Sequence, residues 1–179
     1  MVYQPSEDSY LLEREVKDYI DRLENKDIKV LDMGSGSGIQ AKACINKGIK
    51  NILAVDIDEE AIKKLKQQDI NAKKSDLFSN IPDYDYDLII FNPPYLPEDE
   101  YDDKPDTTAG KKGYELILRF LKQAKQHLDK KGAILLLVST LSRLSRIKEY
   151  AEEQGYRFRK LSDENMGFFE KIEIWELKF

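Results

Sequence analysis

This sequence predicts an α/β fold: a Rossmann-like, mostly parallel seven-stranded sheet with an antiparallel last strand and helices on both faces. Three observations point to it. Short apolar runs alternate with segments of helical period along the whole chain, the pattern of strands buried between two helical layers. The first apolar run ends in a glycine-rich turn, "LDMGSGSG" at 31–38, as a strand does when it feeds a helix over a ligand. The last two runs, "GYRFRKLS" (155–162) and "FFEKIEIWELKF" (168–179), are separated only by "DENMG". That turn is too short for a parallel crossover, so the final strand runs antiparallel to its predecessor.

Each element has its own signal. Ser6 followed by Glu7 and Asp8 marks a helix start, and Leu12, Val16, Tyr19, Ile20 and Leu23 then recur on one helical face. A strand at 28–32 leads into the glycine turn, and the helix from Ile39 to Lys47 stops at Gly48. A strand at 51–56, a helix at 59–68, a weak strand at 70–74 and the apolar strand "YDLIIF" (86–91) follow. A helix over 114–130, a strand over 132–139 and a helix over 142–153 precede the closing pair of strands. Residues 1–179 read as one domain, with a helical segment at 1–27 and a substrate-side loop at 92–113. An irregular stretch of that length suggests function.

Composition removes several classes of activity. Cys44 and His127 are the only cysteine and histidine, so there is no disulfide, no zinc ligand set and no Ser/His or Cys/His pair. A structural role is expected for both residues, and no metal site. The N-terminus carries acids where a secretory signal would carry bases, and the longest apolar run, "AILLLV" at 133–138, is far short of the ~20 residues that span a bilayer. A soluble, cytoplasmic protein with no membrane association is expected. Charged residues make up 35% of the chain and the net charge is −5, which disfavours a nucleic-acid backbone as partner.

Gly34, Gly36 and Gly38 let the backbone turn tightly and approach a ligand at a helix N-terminus. Their G-x-G-x-G spacing differs from the G-x-G-x-x-G of dinucleotide folds. Asp32 beside the turn would repel a pyrophosphate but suits a cationic ligand such as the sulfonium and amino group of S-adenosylmethionine. Asp56, ending the second strand, is placed to accept both ribose hydroxyls. Asp76 in "SDLF" would accept from an adenine amino group, with Leu77 lining the face of the ring.

The fourth strand ends in "NPPY", 92–95. A carboxamide or aromatic amine is a poor nucleophile because its nitrogen lone pair is delocalised. Two acceptors gripping its N–H hydrogens return that pair to nitrogen and aim it at a methyl group. The Asn92 side-chain oxygen and the Pro93 carbonyl supply such a grip, Pro94 stiffens the turn, and Tyr95 stacks on the planar substrate.

With both motifs in view, the chain resembles class I S-adenosylmethionine-dependent methyltransferases, and within them the HemK/PrmC-like protein-glutamine methyltransferases. The stretches "VYQPSEDSYLL" (2–12), "LDMGSGSG" (31–38), "SDLF" (75–78), "FNPPYLP" (91–97) and the terminal "EIWELKF" carry the likeness. The opening stretch resembles the archaeal and eukaryotic branch, which lacks the helical N-terminal domain of the bacterial enzymes, and none is expected here. That resemblance implies S-adenosylmethionine as cofactor, with contacts falling on Ser9, Asp32, Gly34, Gly36, Asp56, Asp76, Leu77 and Asn92. It also implies, as substrate, the glutamine of the GGQ loop in class I translation termination (release) factors. Several members of that branch work with a small zinc-binding activator protein, a candidate partner here, and the short third strand would offer it an unpaired sheet edge. "TTAGKKGYE" (107–115) departs from the family's Gly-Gly pair, with Ala109 in place of the first glycine.

The competing substrate is an exocyclic amino group of a nucleobase in RNA or DNA, because NPPY chemistry serves both. Nucleobase enzymes need a basic track or an extra recognition domain. The loop after NPPY, "LPEDEYDDKPD" (96–106), is instead strongly acidic, which repels phosphate and attracts a basic protein loop. Arg143, Arg146, Arg157, Arg159 and Lys160 form the one basic concentration.

Overall fold

A computed structural model describes residues 6–82, 84–94, 114–167 and 169–179. The helices are α1 (Glu7–Asp21), α2 (Ile39–Asn46), α3 (Glu59–Gln67), α4 (Glu115–His127) and α5 (Leu144–Glu153). The strands are β1 (Lys29–Met33), β2 (Asn51–Asp56), β3 (Ala72–Lys74), β4 (Tyr86–Phe91), β5 (Leu128–Ser139), β6 (Arg157–Asn165) and β7 (Lys171–Lys178). They form one seven-stranded sheet in the order β3-β2-β1-β4-β5-β7-β6. β7 is antiparallel to both its neighbours, while β1 to β5 run parallel, as the short final connection requires.

Strand side chains divide between two cores. Val30, Leu88, Ile90 and Leu135 pack beneath Leu12, Val16 and Ile20 of α1, Ala41 of α2 and Leu65 of α3. Leu31, Ile89, Ile134 and Leu136 face the other way, against Phe120 and Leu121 of α4 and Ile147 and Ala151 of α5. This alternation explains why the strands read as continuous apolar runs: both of their faces are covered. Cys44 is wholly buried in the first core. His127 stacks between Phe78 and Tyr84, with ring centroids 4.4 and 4.9 Å away. Among the described residues no cluster of three or more His, Cys, Asp or Glu could hold a metal, and no helix is long and apolar enough to cross a membrane.

Two junctions differ most from the sequence-based expectation. The helix expected to continue to Lys130 ends at His127, and β5 starts at once with Leu128 paired to Tyr86, then bulges before Ala133 meets Leu88. Gly132 permits this bulge, since a Cβ there would lie 2.7 Å from the Tyr86 carbonyl oxygen. The expected turn at 163–167 begins only after Asn165, because β6 continues its ladder through Asp163–Glu173 to Asn165–Lys171. Lys171 of β7 is ion-paired to Asp163 of β6 and Lys160 of β6 to Glu173 of β7, and these cross-strand charges extend the hairpin beyond what its turn-forming residues suggest.

Chain order reverses between β1 and β4: from β1 the sheet grows outward through β2 and β3, then resumes on the other side. A crevice therefore opens above the carboxyl ends of β1 and β4, the usual ligand position in open α/β sheets. Both the glycine turn and Asn92 lie there.

Candidate active site

The glycine turn is built to approach whatever lies above β1. Gly34 has φ +63°, and a Cβ on it would press to 3.3 Å from the Phe91 ring and 3.9 Å from the Asn92 carbonyl oxygen. Only a glycine lets the loop lie so close to the end of β4. Gly38 precedes α2 with φ +81°, and a Cβ there would come within 2.6 Å of Leu65 on α3. This third glycine therefore serves helix packing.

Two carboxylates brace the turn. Asp32 is buried, and its Oδ2 accepts from the Ser35 hydroxyl (2.5 Å) and the Ala41 N–H (3.1 Å). Burial pushes its carboxyl up to about 7, against those two hydrogen bonds, which lower it. Asp56 accepts from the Gly36 N–H through Oδ2 (2.8 Å) and from the Asp58 N–H through Oδ1 (2.9 Å). It remains partly exposed, and burial raises its carboxyl despite those bonds. Asp32 thus stitches β1 to α2, while Asp56 ties β2 to the middle of the glycine turn.

Asp76 follows β3 and is engaged differently from the sequence expectation alone. The Arg119 guanidinium on α4 donates to both its oxygens, at 2.7 and 3.1 Å. Leu77 has φ +47°, a left-handed conformation uncommon for a branched residue. Its side chain is buried in the second core.

Asn92 follows β4 across the crevice. Its Nδ2 donates to Asp8 Oδ2 and Ser9 Oγ, both at 3.4 Å. Asp8 and Ser9 are buried in the first turn of α1; Gln40 of α2 secures that turn by donating to the Ser9 carbonyl (2.9 Å). Pro93 and Pro94 continue directly from Asn92. Tyr95, the acidic loop at 96–106 and Ala109 lie outside the described residues.

The structure thus gathers Ser9, Asp32, Gly34, Gly36, Asp56 and Asn92 around one crevice, with Asp76 and Leu77 following the strand beyond Asp56. Sequence reasoning missed Asp8, Gln40 and Arg119. Asp8 was visible only as an acid beside a helix-starting serine, and nothing local marked the other two.

Comparison with known proteins adds to this geometry. The family model for the methyltransferase small domain matches residues 17–154. A Methanocaldococcus jannaschii protein, provisionally named a protein N5-glutamine methyltransferase, is 40% identical over 79% of this chain and 74% of its own length. The release factor glutamine methyltransferase of Rhodopirellula baltica is 30% identical over 74% of this chain, which spans about half (51%) of that longer protein. Among solved structures, the E. cuniculi Mtq2–Trm112 complex, responsible for methylation of the eRF1 translation termination factor, superposes with a TM-score of 0.78. Its identity is 27%, with 99% of this chain and 98% of that one covered. The chain therefore belongs to the methyltransferase small-domain family, and its relatives include protein-glutamine methyltransferases.

Proposed function

We propose that this protein transfers a methyl group from S-adenosylmethionine to the side-chain amide nitrogen of a glutamine, in the GGQ motif of a class I translation termination factor. One observation carries the reading: the glycine turn and Asn92 meet at adjacent strand ends, where a Cβ on Gly34 would come 3.9 Å from the Asn92 backbone carbonyl oxygen. The residues present fit the cofactor. Gly34 and Gly36 let it approach the backbone, Asp56 accepts from its ribose, Leu77 and Asp76 border its adenine, and Asp32, which burial pushes up to about 7, places negative charge below the turn once it ionises. Ser9 and Asn92 close the opposite side.

When bound, the cofactor supplies an electrophilic methyl group on a sulfonium. The protein's own part is orientation and charge stabilisation. The Asn92 Oδ1 and the Pro93 carbonyl accept the two N–H hydrogens of the substrate amide and hold its nitrogen lone pair in line with the methyl carbon. So held, the amide nitrogen would be the nucleophile toward that methyl group, with neutral sulfur as the leaving group, and its extra proton would pass to solvent. Tyr95 is assigned to stacking on the substrate amide.

The whole chain acts as one domain in this reading, with α1 of the 1–27 segment packed on one sheet face and 92–113 assigned to substrate. The acidic sequence at 96–106 suits a basic protein loop, and a cytoplasmic site of action goes with a translation-factor substrate. A small zinc-binding activator, in the place Trm112 takes beside Mtq2, would find the three-residue β3 paired only to β2, an edge open to strand addition.

Labelled S-adenosylmethionine offered with a class I termination factor, its GGQ→GGA variant, total RNA and total DNA tests the substrate. Label on the native factor alone is expected. Label on nucleic acid alone would move the assignment to a nucleobase amino group. Four blank lanes, repeated with the activator present, would reject both.

A further inference from the structure

We propose that Asp8 is a positioning residue that fixes which way the Asn92 carboxamide faces, and so which of its two ends meets the substrate. This rests on the reading of Asn92 as the acceptor that holds the substrate amide. A carboxamide is nearly symmetrical in shape, with an acceptor at one end and a donor at the other, and only its neighbours decide between two orientations. If the NH2 end faced the crevice, Asn92 would present donors to a substrate NH2 that itself offers only donors.

The first turn of α1 settles the orientation with two acceptors. Asp8 Oδ2 and Ser9 Oγ each lie 3.4 Å from Asn92 Nδ2. A flipped carboxamide would set its oxygen against the Asp8 carboxylate. Ser9 has its own polarity fixed in the same sense, because its hydroxyl donates to Asp8 Oδ1 (3.3 Å) and turns lone pairs toward Asn92. Asp8 is in turn held by a backbone donor: the Ser9 N–H lies 2.6 Å from Oδ1, and the Ser6 hydroxyl 2.5 Å. Asp8 is only 2% exposed, so water competes little for these bonds. The carboxylate also lies on the donor side of the Asn92 dipole, where its charge increases the electron density on Oδ1 as positive charge grows on the substrate nitrogen.

An isosteric change separates positioning from mere support. In Asp8→Asn, the Ser9 N–H keeps the new carboxamide's oxygen at the Oδ1 position and turns its NH2 toward Asn92. Two NH2 groups then face each other, and Asn92 is driven to flip. Asp8→Ala removes one acceptor but leaves Ser9 Oγ to hold the original orientation. Positioning therefore makes the isosteric variant the worse of the two, the reverse of what lost packing would give.

The experiment measures kcat, KM and cofactor Kd of the full chain, with S-adenosylmethionine and the termination factor as probes. The variants are Asp8→Asn, Asp8→Ala, Asn92→Ala and the exchange Asp8→Asn with Asn92→Asp. Expected are a kcat loss of about 10–100-fold for Asp8→Asn, a smaller loss for Asp8→Ala, and cofactor Kd little changed in both. The exchange restores a donor against an acceptor and keeps an oxygen toward the substrate, so it should recover kcat about tenfold over Asp8→Asn. An Asp8→Asn enzyme no worse than Asp8→Ala, or an exchange no better than Asp8→Asn, overturns the positioning role. Loss of activity in Asn92→Ala with Asp8→Asn unaffected overturns it alone, whereas full activity in Asn92→Ala overturns the underlying reading. Should Asp8→Asn fail to fold, Asp8→Ala with and without Ser9→Ala decides: a more than multiplicative loss supports the paired acceptors, and a simply multiplicative one rejects them.

Discussion

The two carboxylates at the ends of β1 and β2 are held from nearby, whereas the polar side chains after β3 and β4 are held from far along the chain. Asp32 accepts from residues three and nine positions on, and Asp56 from residues two and twenty positions away, each through at least one backbone N–H. Asp76 is gripped by a side chain 43 residues later, and Asn92 by side chains 83 and 84 residues earlier. The cofactor half of the crevice is therefore largely self-organised by its own strand-turn-helix unit. The substrate half takes its geometry from the docking of α1, and only Asp76, at the far edge of the cofactor half, depends on α4, so changes remote in sequence should reach the chemistry at Asn92.

The largest effect should come from the substrate half. Asn92→Ala removes the acceptor proposed to hold the amide and is expected to lower turnover by about 10²–10³-fold. Its carboxamide is partly exposed and its two hydrogen bonds are long, so the melting temperature should scarcely move. Full activity would reject the assignment, and an unfolded variant would show that Asn92 is structural after all.

On the cofactor half, Asp56→Ala removes the partly exposed carboxylate proposed to accept from a ribose. Losing charge-assisted hydrogen bonds should weaken cofactor binding by about 1.5–3 kcal/mol, measured by calorimetry. It also frees the Gly36 N–H, so slower cofactor association would accompany the loss if the loop then wanders. Unchanged affinity would refute the ribose role.

The same contrast explains what the sequence could reveal. The glycine spacing, the acid at each strand end and the alternation of runs are local signals, and the sheet, its antiparallel last strand and the crevice residues followed from them. Asp8, Gln40 and Arg119 act through partners that only the folded chain brings near, so no spacing pointed to them. The early start of β5 escaped for a related reason: a helix-like composition at 128–130 yields to pairing with Tyr86, forty-odd residues upstream. Likewise, the β6–β7 hairpin is lengthened by ion pairs across strands, Lys171–Asp163 and Lys160–Glu173, which outweigh local turn chemistry.

A smaller effect separates the halves by pH. The unfolded chain releases the Asp32 proton near pH 4, whereas the buried carboxyl keeps it until about 7. Below pH 4 both states hold the proton and the stability this group contributes is fully present. It is lost as pH rises toward about 7, and Asp56, also raised by burial, acts in the same direction. Asp32→Asn should flatten the fall in melting temperature across that window, at about 2–4 °C for each kcal/mol removed. Asp163, lowered by Lys171 and Lys160, contributes the opposite limb, losing stability as pH falls through its own range. Asp163→Asn should therefore leave the fall toward pH 7 intact. Equal slopes in Asp32→Asn and the native protein would mean that the carboxyl is not protonated in the folded state.

The smallest effect is expected where the geometry is most regular. Arg119 and Asp76 form a two-pronged pair, but their side chains are 50% and 45% exposed, and screened pairs of this kind contribute about 0.2–1 kcal/mol. Arg119→Ala should cost no more than that in a denaturant titration. Its consequence for binding distinguishes two arrangements. If Asp76 meets an adenine amino group, Arg119 competes for the same oxygens, and removing it should leave cofactor affinity unchanged or slightly improved. If the arginine instead orients Asp76 toward the ligand, affinity should fall with a loss comparable to that of Asp76→Ala, and the double variant should be no weaker than either single one. In the second case the edge of the cofactor half nearest α4 would depend on long-range packing as Asn92 does, moving the division between the two halves from β1/β4 to β2/β3.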